Sequence, residues 1–281
     1  MIKLLADSAC DLEAEEAKAR GIALLPLYIR FGDEEFQDGV TLSHRAFFEK
    51  LIETDDIPKT SQISEYRFTE AFEELTKDGS EVIAVVLSSK LSGTCQSAVK
   101  ASKKFEGKVF VVDSMNACLG ERILVEYAAR LIEEGKLSAR EIAAELENKK
   151  GKIKLLALLD TLKYLRKGGR ISSVTAIAGE MLSIKPVITV TDGEPKLIGK
   201  AMGSKKGNNL LNRLVEECGG IDFFHALYAR LFGAFRGISF KIPARQRTPL
   251  EGAHRSYPVL SHRKHDRHPH RAERHRSRLF L

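Results

Sequence analysis

The sequence predicts a two-domain α/β protein: a parallel sheet flanked by helices in the N-terminal domain, then a C-terminal α/β domain whose sheet is mostly antiparallel. Three observations carry this. Val82–Leu87 is an unbroken apolar run with β-branched residues, as in a strand buried on both faces. Strand-like and helix-like segments alternate before it and after it, the order that builds a parallel sheet with helical crossovers. After Lys149-Lys150-Gly151-Lys152 the rhythm changes, and two strand-like runs meet across Thr191-Asp192-Gly193-Glu194, a hairpin sequence.

The elements follow in order. Ile2–Ala6 reads as a short strand ending at Asp7, Leu12–Arg20 as a helix and Ile22–Phe31 as a strand. Arg45–Glu53 and Tyr66–Leu75 have amphipathic helical spacing. Gln96–Lys104 reads as a helix, Val109–Val112 as a strand, and Leu119–Glu134 as a long helix closed by Gly135, a natural C-cap. Ser138 and Glu141 form the capping-box pattern that opens the next helix. Beyond it come a strand at Leu155–Leu159, a short helix at Thr161–Leu165, strands at Lys185–Val190 and Lys196–Lys200, and a helix at Lys205–Glu217 ending at Gly219-Gly220. This divides the chain into residues 1–152, residues 153–222, which begin the second domain, and a tail at 223–281.

Composition narrows the class. Of 281 residues, 43% are hydrophobic and 30% charged, the balance of a globular protein large enough for two domains. No apolar run has transmembrane length, and Asp7 comes too early for a signal peptide, so a cytoplasmic protein is expected. The four cysteines are scattered with no Cys-x-x-Cys pair, which suggests neither a zinc site nor a disulfide framework. The net charge of +7 is localised: residues 223–281 hold 13 Lys and Arg against 3 Asp and Glu, while residues 1–222 hold 32 against 35. Seven of eight histidines also lie in that tail, and only His44, read as a surface helix residue, lies outside it. A nucleic-acid-binding reading would rest wholly on the tail, and no nucleic-acid partner is expected of the body.

Small hydroxyl residues gather where predicted strands end: Asp7-Ser8-Ala9-Cys10-Asp11, Ser88-Ser89-Lys90-Leu91-Ser92-Gly93-Thr94 and Asp113-Ser114, with Thr60-Ser61-Gln62 before a helix. Ligands of open parallel sheets sit beyond the carboxyl ends of the strands. Hydroxyls and free N–H groups at helix starts suit an anionic oxygen ligand, although each such residue alone reads first as a helix cap. The usual catalytic devices are missing. There is no G-x-S-x-G elbow, no Walker-type or G-x-G-x-x-G loop and, with one histidine in the body, no His-based general base or metal cluster. No cofactor is implied.

These residues carry a resemblance. Asp7-Ser8-x-x-Asp11, Asp38-Gly39, Thr60-Ser61-Gln62, Leu91-Ser92-Gly93-Thr94-x-Gln96-Ser97-Ala98, Asp113-Ser114, Asp160-Thr161-Leu162-x-Tyr164-Leu165-x-Lys167-Gly168-Gly169-Arg170-Ile171 and Ile184-Lys185-Pro186 fall in the order and spacing of the DegV family of bacterial lipid-binding proteins. The resemblance runs from residue 1 to about 222. It implies a long-chain fatty acid such as palmitate or oleate held between two α/β domains. Thr60 and Ser92 would contact the carboxylate, Ser61, Gly93 and Thr94 would complete those loops, and Arg170 would meet the head group or a partner. It further implies a carrier without catalysis of its own that presents the acid to an ATP-dependent fatty acid kinase subunit, with transient membrane contact as an accessory expectation. Two departures from the family stand out: Cys95 replaces a usual aromatic, and Met202 and Ser204 occupy a strand end where arginine is common. The energetics suit a carrier: ~14 methylenes at ~0.8 kcal/mol each contribute roughly 11 kcal/mol before ordering costs.

The resemblance stops near Asp222-Phe223, where His-, Arg- and Pro-rich sequence begins. Codons can be chosen for His262–Phe280 so that a one-base shift reads TGSTIGTHIGPSGIGVAF, a string with the family's C-terminal pattern, so the tail is read as out of frame. Two rival readings remain. One is a protein whose basic tail binds nucleic acid or another partner, for which deletion of 223–281 would abolish function. The other is an α/β enzyme of unknown substrate, disfavoured by the absence of phosphate loops and metal-binding carboxylate clusters.

Overall fold

The computed structural model describes residues 1–54, 56–171 and 184–218. The first sheet is wholly parallel. It comprises β1 (Ile2–Asp7), β2 (Ile22–Leu25), β6 (Glu81–Val86) and β7 (Val109–Asp113) in the order β2-β1-β6-β7. Side chains alternate across it, so each strand feeds two cores. Leu4, Ala6, Ile83, Val85 and Val112 pack against α1 (Ala14–Ala19), α5 (Leu119–Glu134) and α6 (Ala139–Lys150). Leu5, Val82, Ala84 and Val86 pack on the other face, against Phe68 and Phe72 of α3 (Glu65–Thr76) and Ala98 and Ala101 of α4 (Thr94–Ser102). Val82 to Val86 are all 0% exposed, which is why this strand has no polar alternation.

The helix ends follow their local chemistry. Ser138 Oγ accepts from Glu141 N while the Glu141 carboxylate accepts from Ser138 N, completing the predicted box. Gly135 closes α5 at φ 62°, in the left-handed region.

The predicted strand Ile22–Phe31 is two strands in two sheets. Pro26 has no N–H to donate to a ladder. The chain leaves the parallel sheet after Leu25, and β3 (Tyr28–Phe31) pairs antiparallel with both β4 (Glu34–Gln37) and β5 (Lys59–Ser61). Ile29 and Phe31 of this second sheet bury against Leu42 and Phe47, the latter on α2 (His44–Glu53). The short strands β4 and β5 had no readable periodicity. His44, expected at the surface, opens α2 largely covered, its side chain 16% exposed and its Nδ1 2.7 Å from Glu13 Oε1.

The third sheet is antiparallel, β10-β9-β8, built from β8 (Leu156–Leu158), β9 (Ile184–Thr191) and β10 (Glu194–Met202). The β9–β10 turn places Asp192 at φ 55° and Gly193 at φ 82°, both left-handed as tight hairpins require. Between β8 and β9 lies α7 (Lys163–Lys167), two residues later than predicted because Thr161 Oγ1 accepts from Lys163 N ahead of the helix. The last described helix, α8 (Gly203–Glu217), lies close on this sheet: a Cβ at Gly207 would come 2.9 Å from Leu158 Cδ1. Among the described residues no helix is long and apolar enough to cross a membrane, and no His, Cys, Asp and Glu cluster could hold a metal. The tail at 223–281, read from sequence as out of frame, lies outside the described residues.

Candidate functional site

The strands β1, β6 and β7 all end on one edge, and their hydroxyl-rich loops divide into two kinds. The first kind ties loops to one another. Asp7 Oδ1 accepts from Ala9 N at 2.9 Å and Oδ2 from Leu87 N at 2.8 Å, joining the ends of β1 and β6. Burial pushes the Asp7 carboxyl up to about 7, against the opposing pull of those two backbone donors. Ser8 Oγ accepts from Leu27 N. Asp113 accepts from Ser89 N and Met115 N, and Ser114 Oγ donates to Asn116 O. The Asp7-Ser8 and Asp113-Ser114 loops are therefore internal staples, with both serines buried.

The second kind converges. Thr60 and Ser61 at the end of β5, Ser92 in the loop after β6, and Arg170 beyond α7 line one small depression together with Gln62, Leu27, Leu87 and Leu91. Thr60 and Ser92 are 32 residues apart in sequence, and Arg170 is 78 beyond Ser92. The depression holds about 30 Å³. Pockets that engulf a whole small molecule run to roughly 300–1,000 Å³, so this one has room for only a few atoms.

Close contacts explain why these residue types stand at these positions. Gly93 precedes α4, and a Cβ there would lie 1.9 Å from Gln62 Oε1 and 2.7 Å from its Cδ. Glycine lets the Thr60-Ser61-Gln62 segment lie directly on the Leu91–Thr94 loop. Gln62 Nε2 then donates to Ser97 Oγ at 3.1 Å, and Ile63 N donates to Thr94 Oγ1 at 3.3 Å. Thr94 is fully buried, with its hydroxyl 2.9 Å from Ser92 Oγ, so it stands behind Ser92 instead of lining the depression. Gly93 likewise shapes the loop without facing the depression.

Arg170 arrives by a helix-ending motif. Gly169 adopts φ 73°, its N–H donates to Arg166 O, and Arg170 N donates to Leu165 O, the two bonds of a Schellman cap on α7. This explains Gly-Gly before Arg170. The guanidinium donates through Nε to Leu91 O at 3.3 Å and through Nη1 to Gly168 O. Thr60 and Ser61 hydroxyls make no hydrogen bond among the described residues, whereas Ser92 Oγ accepts from Thr94 N at 3.2 Å. The N-terminus of α4 starts at this loop and adds positive potential.

Sequence reasoning singled out Thr60, Ser61, Ser92 and Arg170, which the fold gathers. It passed over Gln62 and the apolar walls Leu27, Leu87 and Leu91, although Gln62 and Leu91 sat inside quoted segments. Leu27 had a weaker signal, its position just after the chain-turning Pro26. Of the departures from the family pattern, Cys95 is buried on α4, its thiol pushed up to about 12 by burial and then by Asp113. Met202 and Ser204 are exposed where β10 passes into α8. Glu121, in the first turn of α5, is fully buried with neither carboxyl oxygen hydrogen-bonded among the described residues. Burial, then the charges of Asp7, Asp11 and Asp113, push it well above the carboxylate range. A larger groove of about 260 Å³ lies elsewhere, lined by Ala14, Ala17, Ile22, Leu24 and Val40 with Lys18 and Asp38, and contains none of the gathered hydroxyls.

Fold and depression together make an α/β protein in which three hydroxyls and a guanidinium meet beside apolar walls. The chain belongs to the DegV family, described as uncharacterised proteins, whose profile matches residues 1–220. A DegV domain-containing protein of Caldanaerobacter subterraneus is 37% identical over 223 residues, 79% of each chain. Among solved structures, a fatty-acid-binding DegV family protein from Thermus thermophilus superposes with a TM-score of 0.71 at 33% identity, covering 77% of each chain. The Streptococcus pneumoniae fatty acid kinase (Fak) B3 protein, loaded with linoleic acid, superposes with a TM-score of 0.68 at 27% identity, covering 78% of this chain and 79% of its own.

Proposed function

We propose that this protein binds a long-chain fatty acid, seats its carboxylate on Thr60, Ser61, Ser92 and Arg170, and presents it to an ATP-dependent fatty acid kinase subunit. The observation that carries the reading is the convergence of three sequence-remote segments on one small depression. Three hydroxyls, a guanidinium and a helix N-terminus suit a carboxylate and fix its direction. Leu27, Leu87 and Leu91 beside them suit the first methylenes. Family membership and the ligands of the Thermus and Streptococcus relatives support the same chemistry. The protein's own contribution is binding and orientation: phosphoryl transfer would need the carboxylate oxygen aimed at a donor held by the partner. Palmitate and oleate are the proposed chain classes, and the cytoplasm the proposed compartment. Mass spectrometry of denatured, purified protein tests the binding: stoichiometric acyl chains are expected, and their absence, with no uptake of added palmitate or oleate, would overturn it. Kinase partnership is tested by acyl-phosphate formation in the presence of a fatty acid kinase subunit and ATP.

We further propose that residues 223–281 derive from a shifted reading frame. The abrupt charge change after Asp222 and the family match ending at residue 220 support this. Sequencing the gene across codons 222–225 tests it, an uninterrupted frame with native expression being the refuting result.

A further inference from the structure

We infer that the β9–β10 hairpin tip at Gly193, with Ser88 beneath it, is a positioning element for the Ser92 anchor. This rests on the fatty-acid reading and names a control on that site. Ser88 is 0% exposed, and its Oγ donates to Gly193 O at 2.8 Å. The same Oγ accepts from Lys90 N at 3.2 Å, and the Ser88 carbonyl accepts from Leu91 N at 3.0 Å and Ser92 N at 3.2 Å. One residue therefore holds the hairpin tip with its hydroxyl and the turn that presents Ser92 with both its hydroxyl and its carbonyl. The tip is seated closely: a Cβ on Gly193 would come 2.5 Å from Ser88 Oγ, 3.0 Å from Lys90 Cγ and 3.2 Å from Met115 Cε. Gly193 also sits at φ 82°, so its glycine is required both by backbone and by contact. On the other side of the same turn Leu91 O accepts from Arg170 Nε at 3.3 Å. The Ser92 turn is thus gripped from two places in the third-sheet region, the hairpin tip and the α7 cap, each more than 75 residues away in sequence.

A tip that only stabilised the fold would change the melting temperature without changing how tightly the folded protein holds its ligand. A positioning tip changes affinity through Ser92. The test uses the full 281-residue chain, oleate as the probe, and temperatures below the melting transition. Gly193→Ala and the milder Ser88→Ala should each raise the oleate Kd by roughly 3- to 100-fold, the range for coupled neighbours. In a Ser92→Ala background neither should raise it further. Amide hydrogen exchange without ligand should speed up at Leu91 and Ser92 in both variants. Affinity unchanged in both variants, or losses that multiply with that of Ser92→Ala, would overturn the proposal while leaving the fatty-acid reading in place. If the unsubstituted chain takes up no oleate, the fatty-acid reading fails and the positioning role falls with it.

Discussion

Gly93→Ala isolates one contact on which the candidate site is built. Gly93 has φ −71° and ψ −1°, a conformation alanine adopts freely, so the substitution introduces no backbone strain. Its effect comes from the new Cβ, 1.9 Å from Gln62 Oε1 and 2.7 Å from Cδ. Gln62 must swing away, losing its bond to Ser97 Oγ, a loss of about 0.5–1.5 kcal/mol. Alanine is also a poorer N-cap than glycine, at a further cost of about 0.5–1 kcal/mol. The expected loss is about 1–2.5 kcal/mol of stability by denaturant titration, with weaker oleate binding because the Thr60-Ser61 segment no longer rests on the Ser92 loop. Gln62→Ala removes the colliding atoms, so the double variant Gln62→Ala/Gly93→Ala should bind oleate more tightly than Gly93→Ala alone. Wild-type stability and affinity in Gly93→Ala, or no recovery in the double variant, would refute the reasoning.

Thr60→Ala and Ser92→Ala should each weaken fatty-acid binding by roughly 0.5–3 kcal/mol, measured by titration, with melting temperatures little changed for Thr60→Ala; stability loss with unchanged affinity would make these hydroxyls structural. Arg170→Ala should cost roughly 1.5–3 kcal/mol of carboxylate binding and little for a fatty alcohol of equal length, which lacks the charge. The Asp7 and Glu121 carboxyls both hold their protons more tightly folded than unfolded. The stability they contribute is fully present below the unfolded value, 3.8 for Asp7, and is lost as pH rises through the folded value, about 7 for Asp7. Melting temperature should therefore decline from about pH 5 to about pH 8, and Glu121→Gln should flatten that decline; a rise over that range would contradict the assignment.

Much of the architecture was legible because periodicity reports burial. The unbroken run at Val82–Leu87 and the Ser138–Glu141 box each translated into the expected element. The middle of the first half did not. Pro26 divided an apolar stretch between two sheets, and Lys59–Ser61 is too short to show alternation while pairing with Tyr28–Arg30, some 30 residues away. At the site, residue type pointed to the hydroxyl-rich loops and the family resemblance to Thr60, Ser92 and Arg170, yet type alone could not separate a ligand-facing hydroxyl from a staple. Ser8 and Ser114 look identical in sequence to Ser61, and only their donors and acceptors, Leu27 N and Asn116 O, show them turned inward. The spacing required of Gly93 and Gly193 was equally hidden, because it is set by Gln62 and Ser88 from other segments.

The central claim is that Thr60, Ser92 and Arg170 share one carboxylate. Carbon NMR of carboxyl-labelled oleate bound to the protein tests it most directly. A single bound resonance, distinct from free oleate and shifted in each of Thr60→Ala, Ser92→Ala and Arg170→Ala, is the predicted result. No bound resonance, or one that all three substitutions leave in place, would contradict it.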